Sequence, residues 1–106
     1  MENNPVRHLL LIRFRPGMTD ERFQAFIRTF RELSHNIDGI VSFEFGVNNS
    51  SEGLNHGMTH VANLTFAGVQ ARDEYLQHPE HRKFVEWVNQ LNIVEEMIVL
   101  DYVPQG

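Results

Sequence analysis

The segment Val6-Arg7-His8-Leu9-Leu10-Leu11-Ile12-Arg13-Phe14 constrains the fold more than any other, because it reads as a strand that is apolar on both sides. Side chains alternate across a strand, so one row is Val6, His8, Leu10, Ile12 and Phe14. The opposite row is Arg7, Leu9, Leu11 and Arg13. Arg15-Pro16-Gly17 is a turn signal that ends the run. A strand with two apolar rows needs cover on both faces of its sheet, so helices on one face do not suffice.

The rest of the chain supplies those helices and the neighbouring strands. Thr19 is the expected N-cap of a first helix, with Asp20 and Glu21 in the turn where acidic groups favour the helix dipole. Its apolar stripe is Phe23, Phe26, Ile27, Phe30 and Leu33. Asp38-Gly39 punctuates the end, and Ile40 to Val47 reads as a second strand, with Val41, Phe43, Phe45 and Val47 facing one way and Ser42 and Glu44 the other. A polar, turn-rich loop runs from Asn48 through Gly53 to Gly57. In the third strand, Thr59 to Phe66, His60, Ala62, Leu64 and Phe66 share a face.

Val69 to Gln77 predicts a short helix that stops near His78, because a residue before proline avoids the helical region. Pro79 then opens a new helix with His81, Phe84, Val85, Val88 and Leu91 on one stripe. Glu96 to Val103 is the last strand, ended by Pro104. The order is β-α-β-β-α-β with its second helix broken. This is the ferredoxin-like split arrangement: an α+β fold with a four-stranded antiparallel sheet and helices on one face. The other face carries Leu9, Leu11 and Val61, and a homodimer that packs two sheets into a barrel-like core would cover it.

At 106 residues the chain is expected to be one domain, 1–106. Its net charge of -5, with nine scattered Lys and Arg, excludes nucleic acid as a partner. Without cysteine there is no disulfide or thiolate metal site, as suits a reducing compartment. Met1-Glu2-Asn3-Asn4-Pro5 lacks the positive charge of a secretory leader, and Leu9 to Ile12 is far too short to span a bilayer. A cytoplasmic protein without membrane contact is the expectation.

Chemistry concentrates in Tyr75-Leu76-Gln77-His78-Pro79-Glu80-His81, where a phenol and two imidazoles flank the helix-breaking proline. Imidazole titrates near neutrality and a phenol donates or accepts a proton, so Tyr75 and His81 are candidate acid–base residues. His8 and His60 lie on apolar strand rows, and with Phe23 and Ile27 they are candidates for binding a ligand against that pair. The structural alternative is that Tyr75 and His81 bond to each other or to backbone, tying the broken helix to the sheet. His78 is a candidate cap for the helix at Pro79, and His35 and His56 read as surface loop residues. His78-x-x-His81 and His56-x-x-x-His60 lack a third ligand at fixed spacing, and no phosphate-cradling glycine loop is present, so neither metal nor nucleotide cofactor is expected.

The segments Arg7 to Phe14, Ser51-Glu52-Gly53-Leu54-Asn55, Gly57-Met58-Thr59-His60, Tyr75 to His81 and Val99-Leu100-Asp101-Tyr102 together resemble the stress-responsive α/β-barrel family, the dimeric Dabb domains. The resemblance covers nearly the whole chain and implies a dimeric α/β barrel. One branch of that family holds a plant polyketide cyclase that closes a linear tetraketide by aldol condensation without a cofactor. In it the residues matching Tyr75 and His81 are the proposed acid–base pair, and histidines matching His8 and His60 lie close to its pocket. The resemblance therefore implies either a cofactor-free enzyme or binder of a small apolar carbonyl or aromatic compound, or a non-catalytic dimeric module. This chain departs from the cyclase in its helices, where three stripe phenylalanines and Trp87 add bulk that could fill a cavity.

Overall fold

The computed structural model describes residues 4–106; Met1–Asn3, within the segment read for a leader, lie outside the described residues. Seven elements follow one another: β1 (Val6–Phe14), α1 (Asp20–Asn36), β2 (Ile40–Val47), β3 (His60–Phe66), α2 (Val69–Gln77), α3 (Pro79–Leu91) and β4 (Val94–Tyr102). The strands form one antiparallel sheet in the order β2-β3-β1-β4, so β1 is central as its two apolar rows require. This is the ferredoxin-like α+β fold that the sequence predicts.

Local chemistry sets the helix limits. The Thr19 hydroxyl accepts from the Arg22 amide at 3.2 Å, capping α1 where Asp20 and Glu21 also sit. His78 ends α2 in extended backbone, and its Nδ1 accepts from the Glu80 amide at 3.1 Å, so one imidazole closes one helix and caps the next beside Pro79. Asn92, at φ 55°, ends α3 in the left-handed region.

The even row of β1 enters the core with Ala62, Leu64 and Phe66 of β3, Phe26 and Phe30 of α1, Tyr75 of α2 and Phe84 of α3. Two bulges modify the predicted rows. In β2, Ile40 pairs with Phe66 and Ser42 with Thr65, leaving Val41 as the extra residue. Ile40 therefore packs on the core, while Val41, read on one row with Phe43 and Phe45, is 67% exposed, and Val47 at the strand's end is 68% exposed. In β4 a register shift at Glu95 lets Val94 pair with Phe14, so the strand starts two residues before Glu96 and stops at Tyr102 rather than Val103. His35 is exposed but belongs to the last turn of α1, not to a loop.

Gly39 turns the chain from α1 into β2 at φ +93°, and a Cβ there would stand 2.7 Å from the Cβ of Ala71 on α2. Gly39→Ala combines left-handed strain with a clash against a helix and is expected to lower stability by about 1–3 kcal/mol, measured by urea unfolding.

On the face away from the helices, Leu9 pairs with Leu100 and Leu11 with Ile98 and Val61, while Tyr102 pairs with Arg7. Leu100 and Tyr102 are each about half exposed. Among the described residues no helix is long and apolar enough to cross a membrane.

Candidate functional site

The helices do not cover the edge strand β4: Val99, on the row that faces them, is 50% exposed. The gap is a cavity of ≈ 370 Å³ between the sheet and the broken helix pair. His8 and Leu10 of β1 and Val94, Met97 and Val99 of β4 form its floor. Phe26 and Phe30 of α1, Tyr75 and Leu76 of α2, and His81, Phe84, Val85, Val88 and Asn89 of α3 form its walls. A larger depression of ≈ 570 Å³ beside α2 and Val103 holds no imidazole or phenol, so its lining offers no group that titrates near neutrality.

Three of the six predicted site residues, Tyr75, His81 and His8, meet at this cavity. The other three do not line it. His60 sits in an aromatic cluster with Phe14, Phe23 and Phe45, at ring-centroid distances of 4.9, 5.2 and 5.7 Å, and its Nδ1 lies 2.7 Å from the Thr59 hydroxyl. Phe23 shares that cluster, and Ile27 is packed in the core. The reason is register: His8 lies opposite Leu64 and His60 opposite Ile12, which separates the two imidazoles by four residues along the sheet, roughly 13 Å. The phenylalanines that α1 does bring to the cavity are Phe26 and Phe30, which wall it without filling it.

The break at Pro79 brings the polar groups together. Tyr75, in the last turns of α2, lies with its ring centroid 4.3 Å from that of His81 in the first turn of α3, at 42° between planes. The His8 ring meets Tyr75 edge-on at 6.0 Å. A carbonyl only accepts, so His81 Nδ1 donates to the Leu76 carbonyl at 3.4 Å, which leaves Nε2 as an acceptor in the neutral ring. Burial lowers the pKa of His81 from 6.5, the Leu76 bond opposing it and the charges of His8 and His78 adding to it. Burial raises the Tyr75 phenol well above 10, so it remains a proton donor.

Two residues that the sequence reading missed complete the site. His8 Nδ1–H donates to Asp101 Oδ1 at 2.8 Å, and Arg72 Nη1–H donates to Asp101 Oδ2 at 2.7 Å. Burial alone would raise Asp101, but the hydrogen bonds from Arg72 and His8 outweigh it and hold the carboxyl below 3.8. Its own bonds to Asp101 and to Asp73 raise Arg72 in turn. Asp101 lies directly opposite His8 in the β1–β4 pairing, a relation that only a known register exposes. Among the described residues no three of His, Asp and Glu gather as a metal site requires. The chemistry on offer is thus two imidazoles and a phenol on the wall of an apolar cavity, able to move a proton on an otherwise apolar ligand.

These shifts set the pH response. Burial holds His81 and His60 below 6.5 when folded, so the unfolded chain takes up their protons first. Their contribution is complete above the unfolded value and is lost as pH falls through the folded ones. Asp101 contributes above 3.8 and loses its contribution at lower pH still. Tyr75 acts oppositely: its folded pKa exceeds 10.0, so stability declines as pH rises past that value. Thermal midpoints are expected to fall between about pH 8 and pH 5, and a flat profile there would contradict the desolvated histidines.

Comparison with known proteins places this arrangement in a family. Residues 6–104 match the model described as the Stress responsive A/B Barrel Domain, Dabb. A stress-response A/B barrel domain-containing protein of Arabidopsis thaliana is 33% identical over 100 residues, covering 94% of this chain and 90% of its own. Olivetolic acid cyclase of Cannabis sativa is 25% identical over 100 residues, covering 94% and 97%. A crystal structure from Arabidopsis thaliana superposes with a TM-score of 0.88 at 31% identity, over 95% of this chain and 96% of that one. A protein of Thermobifida fusca described as dimeric and ferredoxin-like has a TM-score of 0.76 at 17% identity, over 94% and 91%, a likeness of fold alone. With a family model matched over nearly its whole length and a relative one-third identical, the chain belongs to the stress-responsive A/B barrel domain family.

Proposed function

We propose that the protein binds a small apolar carbonyl or aromatic compound between its helices and sheet and assists proton transfer on it without a cofactor. Tyr75 and His81 are the acid–base pair in this reading. The observation that carries it is the ≈ 370 Å³ cavity with both residues in its wall, within the range of small-molecule sites. The phenol donates to the ligand's carbonyl oxygen, and the adjacent imidazole exchanges protons with the same polar end while Phe26, Phe30, Phe84 and Val88 surround the apolar part. Likeness to olivetolic acid cyclase supports the class of chemistry, not the substrate.

The protein acts as a homodimer through the open faces of the sheets, supported by the exposed row of Leu100, Ile98 and Tyr102 and by the description of the Thermobifida fusca neighbour as dimeric. We place it in the cytoplasm, in keeping with a chain that has no cysteine. A second reading, a non-catalytic module, is favoured by one contact: the His81–Leu76 bond ties α3 back to α2 across the proline break.

A thermal-shift screen with 1,3-diketones and small aromatic ketones separates the two. A ligand present at about a hundred times its Kd is expected to stabilise the fold by about 2.7 kcal/mol. If no compound of either class shifts the melting temperature, the pocket reading fails.

A further inference from the structure

We propose that His8 is a second base of the cavity, held in its working tautomer by Asp101 and Arg72; this rests on the carbonyl chemistry proposed above. The imidazole is 6% exposed and lies on the cavity floor, yet its only hydrogen bond among the described residues runs backwards, from Nδ1 to Asp101. An ionised carboxylate accepts only, so the proton of the neutral ring is on Nδ1 and the lone pair is on Nε2, the nitrogen left for a ligand. Arg72 grips the other oxygen of Asp101 and fixes the carboxylate in turn. A carboxylate behind an imidazole orients it and stabilises the imidazolium that forms when Nε2 takes a proton.

His81 lacks this support. Its Nδ1 leans on a neutral backbone carbonyl at 3.4 Å, and its ring packs against Tyr75 at a tilt of 42°. The two imidazoles therefore divide the work. The C–H bond next to the ligand's carbonyl breaks, its proton passes to His8 Nε2, and the electron pair forms the C=C bond. The carbonyl oxygen takes a proton from the Tyr75–His81 pair, giving the enol, and the reverse steps return a proton to carbon. Nothing is oxidised or reduced. The charged and titratable groups around His8 are Asp101 on β4, Arg72 and Tyr75 on α2, and His81 on α3.

The test uses 15N-labelled protein and 4-phenyl-2-butanone in D₂O. Long-range ring correlations should place the neutral His8 proton on Nδ1 in the parent, and Asp101→Asn, whose amide both donates and accepts, should mix the two tautomers. His8→Gln should lower deuterium exchange into the ketone by about 10² to 10⁴. Asp101→Asn should lower kcat by about 10- to 100-fold with little change in KM, and Arg72→Met should act in the same direction more weakly. A His8 proton on Nε2 in the parent, or a tautomer unmoved by Asp101→Asn, overturns the positioning role. Parent-like exchange by His8→Gln while His81→Ala is impaired overturns the base assignment and leaves the Tyr75–His81 pair standing. Failure of the parent to exchange any ketone overturns the carbonyl reading itself and the base role with it, and the ring measurement still decides whether Asp101 sets His8.

Discussion

Replacing His81 by Ala, or Tyr75 by Phe, is expected to lower the rate on a responsive ketone by about 10² to 10⁴, the usual contribution of positioned proton transfer. The two variants differ in what else they remove. Tyr75→Phe keeps the ring that packs on Phe66 at 5.1 Å and on His8 at 6.0 Å, and deletes only the hydroxyl. Its melting temperature should stay close to the parent's while turnover collapses. His81→Ala also deletes the ring packed against Tyr75 and the bond to Leu76, so a loss of about 1 kcal/mol should accompany the loss of rate. The non-catalytic reading expects the reverse order, with both variants less stable and no ligand for the parent. Unfolding and exchange measured on the same preparations decide it: a Tyr75→Phe protein with parent-like exchange would remove the phenol from the chemistry.

Much of the fold was legible because its signals are local. Alternation bounded β1 and β2, Thr19 announced α1, and Pro79 announced the break between α2 and α3. The misreadings came from places where strand period and position part company. At Val41 an extra residue shifts the row, so Ile40 turns inward, and nothing in Ile40-Val41-Ser42 marks a bulge. The same limit explains the site. Alternation put His8 and His60 on one face correctly, but a face has length, and pairing with Leu64 and Ile12 sets them apart. Asp101 lies 93 residues from His8 in the chain, and no spacing rule links them before β1 and β4 are aligned. The nearness of Tyr75 and His81 was legible because a proline break is itself a local feature, and it is what lets two successive helices turn their side chains into one cavity.

The open sheet face should yield the other large effect: Leu100→Glu is expected to turn a dimer into a monomer. Leu100 pairs with Leu9 on the central strand, with Leu11, Ile98 and Val61 alongside, so it stands within the apolar part of the face. Stable dimers bury about 1,200–2,000 Å² in total, an area for which this four-stranded face is the available surface. In a two-fold dimer the substitution occurs twice across the same interface, so two carboxylates lose water without gaining a partner. Burial of an unpaired charge costs several kcal/mol, and about 4 kcal/mol corresponds to a roughly 10³-fold rise in the dissociation constant. Light scattering at micromolar concentration should therefore give twice the chain mass for the parent and a single chain for Leu100→Glu. A monomeric parent would refute the dimer outright, and a Leu100→Glu protein that stays dimeric at the same concentration would move the interface to another surface.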